Sequence, residues 1–408
     1  MDKSSKSALA RKSSPNRLSG ATTAKPYVGF PLTPHPSGRW CKKIRGKLHY
    51  FGKIAEPDAA LERFNREWTY LKDGRTPPAI DAGDGCTVRL LCNSFLTSKR
   101  AKLDSGELSP RSFQDYFRTC EILIGHLGLD RRVDDLRPDD FRDLRTKLAK
   151  NRKAVALGNK VNLIRGILKF AFDEELIDKP VRFGQSFDRP SKKNLRKARH
   201  EAGRKMFDVD EVTRILAAAD PQLRAMALLG LNCGFGNTDC ATLPQSAVEL
   251  DSGWVDFPRP KTGIHRRVPL WPETVDALRK AIAERPKAKK PEDSGLVFLT
   301  RAGGRWVRVQ RKRGNDSGPP RFVAFDPLSQ RFRKLLNSLS INSHRNFYTL
   351  RHNFETWGGE SKDQVAVDAI MGHVDPSMGA QYRERISDER LRDVTEQVRS
   401  WLFDSTSG

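Results

Sequence analysis

Residues 370–385 read IMGHVDPSMGAQYRER. One tyrosine, Tyr382, stands nine positions after the Gly372-His373 pair, with Arg383 and Arg385 behind it. Two roles are open to it. It is either the aromatic anchor of a short helix or a phenolic nucleophile held among cations. The rest of the chain has to choose between them.

The bulk charge narrows the choice of partner. The 408 residues carry 74 Lys+Arg against 50 Asp+Glu, a formal charge of +24. Such a surplus attracts polyanions, with DNA or RNA first among them. An anionic membrane surface is the rival, but no stretch approaches the roughly 20 apolar residues of a span. The N-terminus has no apolar signal core, so a cytoplasmic, nucleoid-associated protein is expected. The six cysteines, at 41, 86, 92, 120, 233 and 240, form no CxxC pair and no zinc spacing, so neither a disulfide framework nor a metal site is expected.

Outward from the opening stretch, the chain divides by composition. Residues 1–27 are rich in Ser, Lys and Arg without periodicity, a disordered basic tail. Residues 28–75 interleave basic with aromatic side chains. Arg39, Trp40, Lys42, Lys43, Arg45 and Lys47 are candidate DNA contacts there, Arg45-Gly46-Lys47 is a hairpin turn, and Trp40 is equally well placed as the core of a small sheet. Leu61, Phe64, Trp68 and Leu71 then recur at helical spacing. Residues 86–182 read as a helical bundle with basic faces, Arg165 and Lys169 among them, and Ser109-Pro110 and Gly128 bound one helix. Residues 183–206 form a basic linker. Residues 207–403 open on an Asp208/Glu211 capping box and contain a hairpin around Lys261-Thr262-Gly263. A basic insertion covers 300–318. The last helix carries Leu391, Val394, Val398, Trp401 and Leu402 on one stripe, to be covered by its own domain or by a second protomer.

Chemistry on DNA could take several routes. No GxxxxGK[ST] loop is present, and no clear acidic cluster of the two-metal kind. What remains is metal-free transesterification: a side-chain oxygen attacks phosphorus, cations hold the nonbridging oxygens, and an acid protonates the leaving oxygen. Lys261 at the hairpin tip, Arg351 in NFYTLRHNFET, His373 and Tyr382 are the candidates in order.

The blocks PKTGIHRRVPL, YTLRHNFET and MGHVDPSMGAQY resemble the catalytic domain of the tyrosine recombinases, the phage integrase superfamily, over residues 208–402. The resemblance implies that Tyr382 forms a 3′-phosphotyrosyl intermediate, with Arg351, Lys261 and His373 around the phosphate and no cofactor. It implies double-stranded DNA as substrate and a homo-oligomer assembled on it. It also likens 86–182 to a core-binding domain and 36–72 to an arm-binding module. The fold class expected is mainly α with small β elements: an arm-type sheet plus helix, a helical bundle and a mixed, mainly helical catalytic domain.

Two positions depart from the family pattern. In CGFGNTDCATL, Gly236 stands where the first arginine belongs, and Tyr348 replaces the histidine of His-x-x-Arg. A lost charge-stabilising donor costs about 10²–10³ in rate, whereas a phenol still donates a hydrogen bond. His265, Arg266 and Arg267 lie on the hairpin arm as a solvated edge or as phosphate contacts, and Arg266, Arg267, Arg305 and Arg308 are candidate DNA contacts. Three readings stay open: one of these four arginines fills the place; the protein cuts slowly; or it binds DNA without cutting. A type IB topoisomerase-like relaxing activity is a further alternative.

Overall fold

The computed structural model describes residues 25–73, 85–203, 205–312, 320–341, 344–374 and 377–404. Most of the expected N-terminal tail, the Pro/Gly-rich stretch after Asp73 and residues 313–319 of the basic insertion lie outside them. The chain divides after Asp84 into two units.

The first unit is a three-stranded antiparallel sheet, β1 (Thr33–His35), β2 (Arg39–Ile44) and β3 (Lys47–Lys53), with helix α1 (Pro57–Lys72). Arg45 and Gly46 both take positive φ, at 49° and 80°, and Ile44 pairs with Lys47. This two-residue turn has the twist that antiparallel strands prefer. A bulge between Trp40 and Cys41 lets two successive residues face inward. Trp40 joins Phe30, Phe51 and Phe64 in the core. It is 1% exposed, and its indole N–H donates to the Ile54 carbonyl. That corrects its reading as a ring stacked on a duplex: the apolar face won. Lys42 lies over the rings of Phe64 and Trp68, facing the helix, whereas Arg39, Lys43, Arg45 and Lys47 are exposed.

The second unit opens with the bundle α2 (Val88–Asp104), α3 (Pro110–Leu127), α4 (Pro138–Lys150) and α5 (Ala154–Asp173). Ser109 caps α3 by accepting from the Ser112 N–H, and Gly128 ends it at φ 91°. Phe141 packs against Phe183 and Phe187. The bundle core therefore runs past residue 182, and Phe187 is fully buried. The segment expected to be a plain linker also holds a helix, α6 (Lys192–Glu201), capped by Ser191 and burying nothing. On α5, Arg165 pairs with Asp188 and Lys169 with Asp173.

Most of the remaining helices and the second sheet share one core. Helices α7 (Val209–Ala218), α8 (Pro221–Asn232) and α9 (Asn237–Thr242) lead to the sheet β4 (Val248–Glu249), β5 (Trp254–Asp256) and β6 (Arg267–Pro269), then α10 (Pro272–Ala283). Asp208 and Glu211 form the capping box of α7. Buried Asn232 donates to the Pro269 carbonyl and accepts from the Trp271 N–H, tying α8 to the sheet. The insertion contributes a hairpin, β7 (Arg308–Arg311) and β8 (Phe322–Phe325), whose Phe322 packs edge-on against Phe113 of α3. Then come α11 (Pro327–Ser338), α12 (Thr349–Gly359), α13 (Gln364–Met371), the short α14 (Met378–Tyr382) and α15 (Asp388–Phe403). The stripe on α15 is buried in its own unit, and the Thr395 carbonyl accepts from the Trp271 indole.

Candidate active site

The site forms where α12, the β5–β6 hairpin and the exit of α13 meet. Arg351 lies in the first turn of α12 and is 2% exposed. Its Nη1 donates to the Gly234 carbonyl. Its Nη2 donates to the Met371 carbonyl at 2.8 Å and lies 3.0 Å from His373 Nε2. A charge so enclosed has to be hydrogen-bonded, and here backbone carbonyls do most of that work. Burial first, then the neighbouring charge of Arg259, brings the Arg351 pKa down to about 10.

His373 follows Gly372, which leaves α13 at φ 63°. A Cβ at Gly372 would lie 2.9 Å from the side chain of Arg266 and 3.0 Å from that of Arg259. Only glycine combines that backbone angle with so close an approach. His373 Nδ1 lies 3.0 Å from Asp368 Oδ1. That carboxylate assigns the proton to Nδ1, so Nε2 accepts from Arg351. Glu355, Asp368 and His373 bring three ligand-type atoms within 4.8 Å. Their arrangement is accounted for by the orientation of the imidazole.

The hairpin reaches the same spot. Thr262 Oγ1 and Arg259 Nη1 both donate to the Gly372 carbonyl, at 3.2 and 3.1 Å. The tip bearing Lys261 is thereby pinned to the His373 segment, and Lys261 itself is exposed, with no ion pair among the described residues. Tyr382 is 80% exposed on α14. The anchor reading would have buried it.

The two positions that depart from the family pattern lie side by side: a Cβ at Gly236 would lie 3.2 Å from the ring of Tyr348. Asp239 accepts from the Gly236 N–H at 2.7 Å and from Arg266 Nη2 at 2.9 Å. The Arg266 side chain is fully buried, with its guanidinium 4.4 Å from the Phe235 ring centroid and its Nη1 unpartnered among the described residues. Burial lowers its pKa, and Asp239 opposes the shift. Arg266, expected as an exposed DNA contact, is a core residue. Arg267 instead lies over Trp254 near Asp256 and Asp388, Arg305 pairs with Asp293, and Arg308 donates to the Arg305 carbonyl. None of these three reaches the Gly236 pocket in its observed contacts.

Sequence reasoning missed Arg259, Thr262 and Asp368 as members of the site. Arg259 lies two residues before Lys261, inside a segment whose basic character was visible but whose hairpin register was not. Arg259 N–H donates to the Ile264 carbonyl, and this sets the register.

Residues 205–389 match the phage integrase family model. This part of the chain is similar to the phage integrase superfamily of tyrosine recombinases. A tyrosine recombinase XerC from Alcanivorax borkumensis is 23% identical over 291 residues, covering 69% of this chain and 85% of the relative. Among solved structures, a lambda integrase dimer bound to a COC' core site superposes with a TM-score of 0.53 at 15% identity, covering 88% of this chain and 96% of that one. The Tn1549 transposon integrase, solved with circular intermediate DNA, gives a TM-score of 0.52 at 14% identity, covering 75% and 99%. At these identities the likeness speaks for the integrase fold. No described helix is long and apolar enough to cross a membrane.

Proposed function

We propose that this protein is a site-specific DNA recombinase of the integrase superfamily that cuts and rejoins strands through a 3′-phosphotyrosyl intermediate. The Tyr382 hydroxyl attacks the scissile phosphorus and gives its proton to solvent; the Tyr382 oxygen–phosphorus bond forms as the phosphorus–5′ oxygen bond breaks, and the 5′ oxygen leaves with a proton from Lys261. Arg351 holds a nonbridging oxygen, His373 orients the phosphate through the Arg351 guanidinium from which it accepts, and the Tyr348 phenol donates where the family pattern has histidine. The observation that carries the reading is the meeting of Arg351, His373 and the Lys261 hairpin at the carbonyls of Met371 and Gly372. Besides burial, the charge of Arg259 lowers the pKa values of Arg266 and Arg351, that of Arg266 lowers Arg351 further, and the buried carboxylate among them is Asp239. Such an excess of positive charge suits an anion that gains charge in the transition state.

Double-stranded DNA is the proposed substrate and a homo-oligomer assembled on it the working form, as in the DNA-bound lambda integrase dimer and tetramer. The exposed Arg39, Lys43, Arg45 and Lys47 make residues 28–75 the proposed arm-binding module. Residues 86–182, with Arg165 and Lys169, are the proposed core-binding domain, 183–206 the connector and 207–403 the catalytic domain.

A nicked duplex that traps the covalent intermediate tests the mechanism. The wild-type chain should form a protein–DNA band that survives denaturation, and Tyr382→Phe should form none. Absence of the band on a duplex that the wild type binds tightly would leave a DNA-binding protein without cleavage.

A further inference from the structure

We infer that Arg259 is a catalytic residue, donating a second guanidinium to the scissile phosphate beside Arg351. The inference rests on the recombinase reading above and adds to it a residue that the sequence blocks did not single out.

Position and pairing carry it. Arg259 and Arg351 donate to consecutive carbonyls, Gly372 and Met371, so the two guanidiniums flank the backbone from which His373 projects. Thr262, next to Lys261, shares the Gly372 carbonyl with Arg259. One anion facing this backbone would therefore meet Arg259, Arg351, His373 and the Lys261 tip together. Arg259 is half-buried and has no carboxylate partner among the described residues. One Nη group is used on Gly372, and the fork geometry of a guanidinium leaves further N–H donors for a ligand. Asp239, the buried carboxylate here, is engaged by Arg266, and like charges brought together in excess of their counter-anions cost folding energy. A cluster of this kind is retained where an anion completes it.

Arg266 is the other arginine near the vacated place, but its surroundings exclude it from direct contact. Its side chain is fully buried between Asp239 and the Phe235 ring, and its Nε donates to the Phe257 carbonyl. Its stem and that of Arg259 both pack on Gly372. Arg266 is thus a positioning residue under Arg259, and Arg259 is the one whose donors remain available. The vacancy at Gly236 is made good from the opposite wall, by the strand leading into the hairpin.

The test uses Arg259→Gln, whose amide retains a donor for the Gly372 carbonyl while the charge is lost. The probe is a nicked duplex whose sequence the full-length chain selects from a randomised pool. Single-turnover covalent trapping at saturating protein, where any loss of affinity no longer affects the rate, should fall by about 10²–10³, and Arg259→Lys should recover part of the rate. Trapping by Arg259→Gln at the wild-type rate would overturn the assignment while leaving the recombinase reading intact. Failure of the wild type itself to trap, on DNA it binds, would overturn both.

Discussion

The two walls of the proposed phosphate cradle are built by different means. On the wall made by the hairpin and α13, cations are held by backbone: Arg351 on the carbonyls of Gly234 and Met371, Arg259 and Thr262 on that of Gly372. On the wall made by Gly236 and Tyr348, side chains hold one another: Asp239 with Arg266, and the Tyr348 ring over a glycine. Backbone acceptors cannot be lost by substitution, because every residue supplies one. Side-chain partnerships can drift together, provided each step keeps the buried charge paired and the space filled.

The largest effect is expected where that second wall carries a buried charge. Asp239→Ala leaves the Arg266 guanidinium enclosed and unpaired, which costs about 3–5 kcal/mol. Urea unfolding measures it. Combining Asp239→Ala with Arg266→Met should return most of the loss, since the charge and its partner go together. A single variant as stable as the wild type would mean that Arg266 reaches solvent, and the contrast between the walls would fail. The next effect is steric. Gly236→Ala places a methyl 3.2 Å from the Tyr348 ring. Overpacking costs typically 1–3 kcal/mol, and about 1 kcal/mol is expected because Tyr348, 42% exposed, has room to swing outward. Tyr348→Ala should remove the penalty, and a double-mutant cycle would show the coupling. Additive effects of the two changes would show that the departures at 236 and 348 are unrelated.

Local signals in the sequence were enough for much of this fold. The Asp208/Glu211 box, the Ser109-Pro110 start and Gly128 stop of α3, and the turn at Arg45-Gly46 all rest on short-range chemistry, and each formed as read. Helix α6 was missed because it buries nothing, so hydrophobic periodicity has no handle on it; Ser191 was the usable sign. The membership of Phe187 in the bundle core depends on a tertiary contact with Phe141. In the candidate site, Arg351, His373 and the hairpin lysine were singled out because they lie in blocks that resemble a family pattern, and the structure brings Arg351, His373 and the hairpin tip to one stretch of backbone. Arg266 was misread as a surface cation in the run His265-Arg266-Arg267. Its burial is decided by Asp239, a carboxylate 27 residues earlier, and nothing local announces that pairing. Arg259 was passed over for the same reason: its neighbour, the Gly372 carbonyl, comes from a segment 113 residues away.

The smallest expected effect tests whether the altered wall is electrostatically part of the cradle. His352 follows Arg351 on α12, and its ring lies 5.7 Å from that of Tyr348. Burial lowers its pKa below the ordinary 6.5, and the charges of Lys205 and Arg351 lower it further. The folded protein therefore resists a proton that the unfolded chain accepts. The sign follows: stability is unaffected well above pH 6.5, falls as pH drops through 6.5, and stops falling below the depressed folded value. His352 is partly exposed, so the loss is small. Thermal unfolding of the wild type and of His352→Gln at pH 7 and pH 5.5 isolates it, with the variant showing the shallower pH dependence. An identical dependence in both would place His352 outside the positive field of the cradle. DNA binding should weaken the same dependence, because a phosphate entering between the two walls supplies the negative charge that the free site lacks.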